Sequence, residues 1–568
     1  MIKFFRILTN GKTFFLFTLL AFLVIVLFGN PSFGSSDDYL LSGFVSGEYT
    51  GNKESRLVFI QYFPSMVFHL FSILFPSYSG IYSLLLVVNV ILSLNLFFGL
   101  VLMKKIVSDN NPEILFTYYI LAIVVISWLT LNPTYTASSF LGGVVYGSII
   151  LYLLYQSRDE HNKSLVFITI LFMLSALIRP ESLLAIIPFF LLVISLTFKS
   201  LKYKSNQLFF VVLIILVIYA INESAYYFLD TSSWALFDEW NLMRHEIKNR
   251  QPERYLTNYL DKLEWTSVEY NLFRDVAFGE RNIFTNDWLQ KGYIVTEEFR
   301  GLPGLLNSDI NFGLSKLKLA IFDWAAFFGV WLHAIFVLLR NTNQSPLRRF
   351  SYFFTVIFLL ILFLFYASLN LFIPDRVFFP LLITVIFVFI NFYILGASRP
   401  FVKSKKSYIL YTLGIFAFLI FTNSTKGLVG QNEVNSKKKL YYQEVVTKLQ
   451  VFNPESIYFF PVNIDYYAIS NPYKETFSPN TDKYLMLGNW DTFSPHWNDR
   501  KKLLGLISES TYSNLLEMNN TYWIGLNTPD TAYNVELLLK EMGKLAFTRE
   551  VKLKLTDDMN AFSYYYVN

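Results

Sequence analysis

The sequence predicts a mainly α-helical protein that crosses a membrane about eleven times and carries a small α/β domain at its C-terminus. Three observations point there. Of 568 residues, 54% are hydrophobic and 19% aromatic, and mean hydropathy is +0.41. Only 16% are charged, against about 25% in soluble domains, a deficit that belongs in lipid. The basic residues fall in short clusters between apolar runs, which is the pattern of membrane topology and argues against a nucleic-acid partner. Cysteine is absent, which excludes disulfides, thiolate metal sites and a cysteine nucleophile.

A bilayer core about 30 Å thick needs roughly 20 apolar residues per helix. Such runs lie near 13–29, 81–103, 113–131, 135–156, 164–179, 181–198, 207–224, 317–339, 350–373, 376–397 and 407–422. Residues 56–76 are apolar too, but Pro64, His69 and Pro76 suit a helix lying in the interface. With the N-terminus inside, Lys3, Arg6, Lys12, Lys104, Lys105, Arg158, Lys163, Lys199, Lys202 and Lys204 are cytoplasmic. So are Arg340, Arg348, Arg349, Arg399, Lys403, Lys405 and Lys406, whereas the short outside connections hold Lys53, Arg56, Arg179 and Arg376. This positive-inside bias places the C-terminus outside a plasma (inner) membrane. Residues 1–30 read as a retained anchor, because the apolar stretch is long for a signal peptide and no small-residue cleavage site follows.

The expected organisation is a transmembrane domain, 1–422, with outside loops at 30–80 and 225–316, and an extracytoplasmic α/β domain, 423–568. In the second loop, "WALFDEWNLMRHEI" and "TSVEYNLFRDVAF" are amphipathic, and Thr266 with Glu269 predicts a capping box. In the C-terminal piece, helical "KKKLYYQEVVTKLQ" and "TAYNVELLLKEMG" alternate with strand-like "SIYFF", "YLML", "YWIGL" and "AFSYYYV".

Several chemistries are absent. There is no G-x-x-x-x-G-K-[ST] phosphate loop, no G-x-G-x-x-G fingerprint and no G-x-S-x-G elbow. His69, His161, His245, His333 and His496 never fall at metal-ligand spacing, and Asn249 stands where "HEIKN" would need its second histidine. No dedicated metal site is read; a divalent cation (Mg or Mn) on an acidic pair stays open.

Ionisable residues instead gather at span ends on the outer side. Asp37 and Asp38 follow the first span in "SSDDYL", and Arg179 and Glu181 form "RPE" at a turn. Asp375 and Arg376 form "PDR", Asp238, Glu239 and Arg244 follow the seventh span, and Asp323 lies near the outer end of the eighth. Each has a local reading: a helix cap at Asp37–Asp38, a Pro-initiated turn at Arg179, an ion pair at Asp375–Arg376, a solvated helix face at Asp238–Glu239. Charge at membrane depth is costly, and convergence on one face from separate places points to function. An enzyme there has no access to cytosolic nucleotide-activated donors, so a lipid-carried phosphate is the natural vehicle. A carboxylate can accept the acceptor proton, while guanidiniums hold the phosphate. On that reading Arg179 and Arg376, with Arg244 and Glu181 beside them, contact the donor or its phosphate. Asp375, Asp323, Asp238 and Glu239 are secondary candidates.

An anchor helix, an outside loop with the acidic pair "SSDDYL", some ten further spans and a soluble tail resemble the GT-C superfamily of membrane glycosyltransferases. "LIRPESLL" and "PDRVFFPLL" are similar to segments of bacterial membrane proteins with this layout. The resemblance implies a polyprenyl-phosphate-linked sugar donor and Asp37 or Asp38 as general base. It also implies a glycan, teichoic-acid, glycolipid or protein acceptor, and other cell-envelope biosynthesis proteins as company. Direct displacement of the lipid phosphate would invert the anomeric centre. The competing classes are a lipid-linked glycan polymerase or ligase, and a transporter or flippase, whose charges would sit near the bilayer midplane.

Overall fold

The computed structural model describes residues 10–103, 112–156, 162–201, 205–229, 231–249, 260–275, 277–298, 325–340, 345–370 and 375–395. Beyond these it describes short pieces between 413 and 422, then 427–461, 466–474, 483–506, 511–526, 531–541, 547–557 and 559–566. Among the described residues, six helices are long and apolar enough to cross a membrane: Gly11–Phe28, Ile81–Leu102, Ile114–Leu131, Tyr135–Gln156, Asn206–Phe228 and Asp375–Leu395. A chain with these helices is a multi-pass membrane protein.

By that measure the described residues give six spans, or seven counting one bent pair, rather than eleven. The runs at 164–179 and 181–198 form that pair, bent by 108° between Ile178 and Pro180. Pro180 has no N–H to continue the preceding helix, so the chain turns and a new helix starts on it. The expected spans at 317–339 and 407–422 fall partly outside the described residues, as does Asp323 altogether. The run at 350–373 is represented by helix Pro346–Asn370. In the 56–76 stretch, helix Tyr62–Leu74 has 13 residues, about 20 Å of rise and too short to cross.

Helices Tyr135–Gln156 and Asp375–Leu395 form the centre of the bundle, buried along almost their whole length. Asn391 joins them, its Nδ2 donating to Ser148 Oγ at 2.9 Å, one of the polar contacts that hold helices together in lipid. Small residues allow close approach: a Cβ on Gly142 would lie 2.2 Å from Ser175 Oγ. At the periphery, Leu16, Leu20, Leu27 and Phe28, and on another helix Phe209, Phe210 and Leu216, are exposed apolar side chains suited to acyl chains.

The C-terminal piece folds into a five-stranded sheet of order β2-β1-β3-β5-β4, with β1 Ile457–Pro461, β2 Tyr484–Leu487, β3 Thr521–Leu526, β4 Phe547–Lys554 and β5 Met559–Tyr566. β1 pairs in parallel with β2 and β3, while β3–β5 and β4–β5 are antiparallel. Four strands coincide with the strand-like runs read from the sequence. β4, "FTREVKLK", is an edge strand whose charged residues hid it.

Both faces of this sheet are covered, by the two loops that precede it in the chain. Successive side chains of a strand point to opposite faces. Tyr458, Phe460, Tyr484, Met486, Tyr522 and Ile524 share a core with Tyr39, Leu40, Phe44 and Tyr49 from the 30–80 loop. Their neighbours Phe459, Leu485, Leu487 and Trp523 share another with Trp240, Ile247, Trp265 and Phe278 from the 225–316 loop.

Candidate functional site

The acidic pair is placed by a helix start. Ser35 has extended backbone and caps helix Ser36–Ser46, its Oγ accepting from the Asp38 N–H at 3.3 Å and donating to Asp38 Oδ2 at 2.7 Å. Gly47, at φ 82°, closes the helix in the left-handed conformation that suits glycine. Asp37 and Asp38 therefore both lie in the first turn, where carboxylates meet the positive helix end.

Their environments then diverge. Asp38 is fully buried, and its Oδ1 accepts from Tyr82 OH at 3.0 Å and from the Tyr135 N–H at 2.8 Å. Burial pushes its pKa up to about 6, against the pull of the Ser35 hydroxyl, Arg376 and the Tyr135 amide. Asp37 is partly open, and its Oδ2 lies 3.6 Å from Arg376 Nη1. The capping reading and the site reading thus fall on different members of the pair. Asp38 ties the 30–80 loop to two membrane helices, and Asp37 faces the arginines.

Arg376 comes from the first turn of Asp375–Leu395, where Asp375 is the opening residue. Arg179 comes from the bend before Pro180. Its Nη1 donates to Tyr135 OH at 2.5 Å, its Nε pairs with the exposed Glu181 at 3.0 Å, and its guanidinium lies over Phe59 and Tyr135. Arg244, from helix Ser232–Asn249, is buried and donates from Nε and Nη2 to Asn241 Oδ1 at 3.0 and 2.8 Å. Burial lowers it to about 10, opposed by the charges of Asp37 and Asp491. Asp37 thus interacts with Arg376, Arg179 and Arg244, and Arg179 also feels Arg376.

Asp238 and Glu239 stay apart from this group, on the exposed side of helix Ser232–Asn249. Asp238 pairs with Arg56 at 2.9 Å, and Glu239 accepts from Asn286 at 3.4 Å.

Sequence reasoning missed the contribution of the sheet. The turn after β2, "GNWDTF", brings Asp491 into the same electrostatic neighbourhood. Its Oδ2 accepts from Tyr49 OH at 3.1 Å, and it interacts with Arg244 and Asp37. Burial raises Asp491 to about 7, with Tyr49 and Arg244 opposing and the Asp37 charge adding. Trp490 packs 5.1 Å from Phe59, the ring beneath Arg179. The turn is held in place by buried partners. Arg500 donates to the Tyr484 and Tyr49 carbonyls, and His496 Nε2 bonds the Arg56 carbonyl at 2.7 Å. Burial lowers His496 to about 4, so it is neutral here. One signal was present in the strand pattern: loops at the carboxyl ends of parallel strands are where α/β sheets bind ligands.

Among the described residues, no group of three or more His, Asp or Glu side chains is placed to hold a metal ion. Asp38 spends its oxygens on hydrogen bonds within the protein, so the acidic pair lacks the shape of a bidentate cation site.

No family model matches the chain, and no curated protein matches it. Among solved structures, the chain is similar to ArnT from Cupriavidus metallidurans in the apo state, at a TM-score of 0.37 and 11% identity, with 97% of each chain covered. A match this remote carries no conclusion about activity.

Proposed function

We propose that the chain is a membrane glycosyltransferase that moves a sugar from a polyprenyl-phosphate donor to an extracytoplasmic acceptor, with inversion. The observation that carries the reading is the partly open Asp37 carboxylate 3.6 Å from Arg376, with Arg179 and Arg244 in the same field. Asp37 takes the proton of the acceptor hydroxyl as that oxygen bonds to the anomeric carbon. The bond from that carbon to the phosphate oxygen breaks, and its electron pair leaves with the polyprenyl phosphate. The guanidiniums of Arg376 and Arg179 hold the charge that develops there. Attack opposite the departing phosphate inverts the centre. Asp38 positions rather than reacts, because its oxygens are committed to Ser35, Tyr82 and the Tyr135 amide. The bundle supplies the lipid-facing surface along which a prenyl chain would approach.

The test is release of polyprenyl phosphate from polyprenyl-phosphate-linked hexoses and pentoses by purified protein in detergent. Asp37→Asn keeps the shape and removes the base, and a loss of about 10²–10⁴-fold is expected. Full turnover by that variant would overturn the assignment.

A further inference from the structure

Four consecutive residues of the turn after β2 each carry a buried polar atom with no hydrogen-bond partner among the described residues: Asn489 Nδ2, Trp490 Nε1, Asp491 Oδ1 and Thr492 Oγ1. All four residues are nine-tenths or more buried, Asp491 and Thr492 completely. Buried polar groups are nearly always paired, and each exception calls for a reason. One orphan could be a local defect; a run of them in one turn is a set of hydrogen-bonding groups arranged for a polar ligand.

The composition of the set says what fits. An amide N–H and an indole N–H donate, a carboxylate oxygen accepts, and a hydroxyl does either. A ligand that matches must present several groups that both donate and accept within one small span, which is what the vicinal hydroxyls of a sugar ring do. An anionic ligand would meet the Asp491 carboxyl unfavourably whenever that group is ionised, whereas a neutral hydroxyl pairs with it in either state. The flanking rings are suited as well, since Trp490 with Phe59 and Phe44 forms an aromatic wall.

The backbone gives a second, independent sign. Among the described residues, the non-glycine residues with positive φ are Phe59 at 67°, Glu264 at 58° and Phe493 at 71°. Phe493 ends this turn, and Phe59 packs on its Trp490 from the opposite loop. Strain of that kind persists where the surroundings over-determine it, and it clusters at binding sites.

From these observations we infer that the 489–492 turn is a subsite for the hydroxyl-bearing sugar ring of the acceptor, bound by Asn489, Trp490, Asp491 and Thr492. This rests on the glycosyltransferase reading for the word acceptor; the affinity for a sugar ring does not. The turn reaches the arginines through Trp490, whose ring lies 5.1 Å from Phe59, itself 5.5 Å beneath the Arg179 guanidinium.

The experiment titrates purified protein with methyl α- and β-glycosides of glucose, galactose, mannose and N-acetylglucosamine, followed by tryptophan fluorescence. At least one glycoside is expected to bind. Thr492→Val and Asn489→Ala should weaken that binding tenfold or more, whereas Thr492→Ser, which restores the hydroxyl, should recover it. Asp37→Asn should bind as the wild type does while failing to release polyprenyl phosphate. Binding that survives with no donor cleavage by the wild type refutes the proposed reaction and leaves the subsite standing. No glycoside binding, or equal binding by Thr492→Val and the wild type, overturns the subsite, because water alone then fills the turn. Competition between the bound glycoside and farnesyl-phosphate-linked sugar overturns its assignment to the acceptor; simultaneous binding supports it.

Discussion

The two faces of the C-terminal sheet are equally buried and differently built. The face toward the 225–316 loop is mainly a packed aromatic core, although it too holds polar groups: buried Glu280, and the Trp265 and Trp523 indole N–H groups, which have no partner among the described residues. Trp265 stacks on Trp288 with centroids 3.8 Å apart, Trp240 packs on Phe493, and Trp523, projecting from β3 into the same core, is fully buried. The face toward the 30–80 loop is laced with hydroxyls and charges: Tyr39 with Tyr484, Tyr49 with Asp491, and Arg500 over Tyr49 and Tyr484. The first face fixes the sheet against the protein. The second carries polar groups toward Asp37. A buried polar network is worth building only where its members are satisfied or await a ligand, since a half-paired one costs more than an apolar core. The contrast therefore separates a mainly apolar face from the one that meets the candidate site, within one sheet only 5 strands wide.

The strongest way to break the contrast is Trp523→Ala. It removes the tryptophan that the sheet itself contributes to this core, and such truncations cost about 3–5 kcal/mol. Thermal unfolding in detergent should show that loss, while donor cleavage per folded molecule stays at the wild-type level, because Trp523 lies on the side away from Asp37. A loss below about 1 kcal/mol, or a specific loss of turnover in the folded fraction, would mean that the faces are not divided in this way.

A subtler separation comes from pH. Asp491 stands near 7 and Asp38 near 6, both above the ordinary carboxylate value of 3.8, and burial is the main cause for each. A raised folded value means that stability is fully present below 3.8 and is lost as pH rises through 6 for Asp38 and 7 for Asp491. His496 acts in the opposite sense. Its depressed value makes stability present above 6.5 and lost as pH falls toward 4. Asp491→Asn removes one of the two falling contributions and leaves the others. The groups facing that carboxyl are Tyr49, Arg244 and Asp37, and all remain in the variant. Relative to the wild type, the variant should gain stability as pH rises from 4 to 7, approaching roughly 4 kcal/mol at the upper end. Unfolding midpoints that differ by a constant across that range would show that burial does not hold the Asp491 carboxyl above its ordinary value.

The legible parts of this molecule are those whose signal is local. Hydropathy marks the helices, alternation marks four strands, and Thr266 with Glu269 predicts a capping box that the structure contains. Asp37, Arg179 and Arg376 could be grouped because span ends on one side of a membrane are few and crowded. What was not legible depends on long-range closure. Asp491 meets Tyr49 across 442 positions, and no local pattern marks "GNWDTF" as part of the same wall. The opposite failure occurred at Asp238 and Glu239, which share a helix with Arg244 six and five positions further on. A helix turns 100° per residue, so neighbours in the chain face different ways. Arg244 is buried toward Asp37, while Asp238 and Glu239 point out to Arg56 and Asn286. Nor did sequence separate Asp37 from Asp38; only Tyr82 and Tyr135, which fill the oxygens of one, do that.

The smallest expected effect lies at the rim of the dry face. Thr266 Oγ1 accepts from the Glu269 N–H at 3.1 Å, and Glu269 Oε2 accepts in return from the Thr266 N–H at 2.9 Å. The same carboxylate takes the Trp288 indole N–H at 3.3 Å, which links the cap to the stacked Trp265–Trp288 pair. Thr266→Ala removes one half of this exchange and should cost about 1 kcal/mol, with Thr266→Ser close to neutral. The cap contains carboxylates of its own, Glu269 and, through Thr266 Oγ1 at 3.4 Å, Glu541, so the comparison is made between about pH 6 and about pH 7, where the cost at Thr266 should stay constant while that of Asp491→Asn still changes. A pH-dependent cost at Thr266 in that range would mean that the scaffold face is electrostatically coupled to the site face, and the sheet would then insulate the two less than its packing implies.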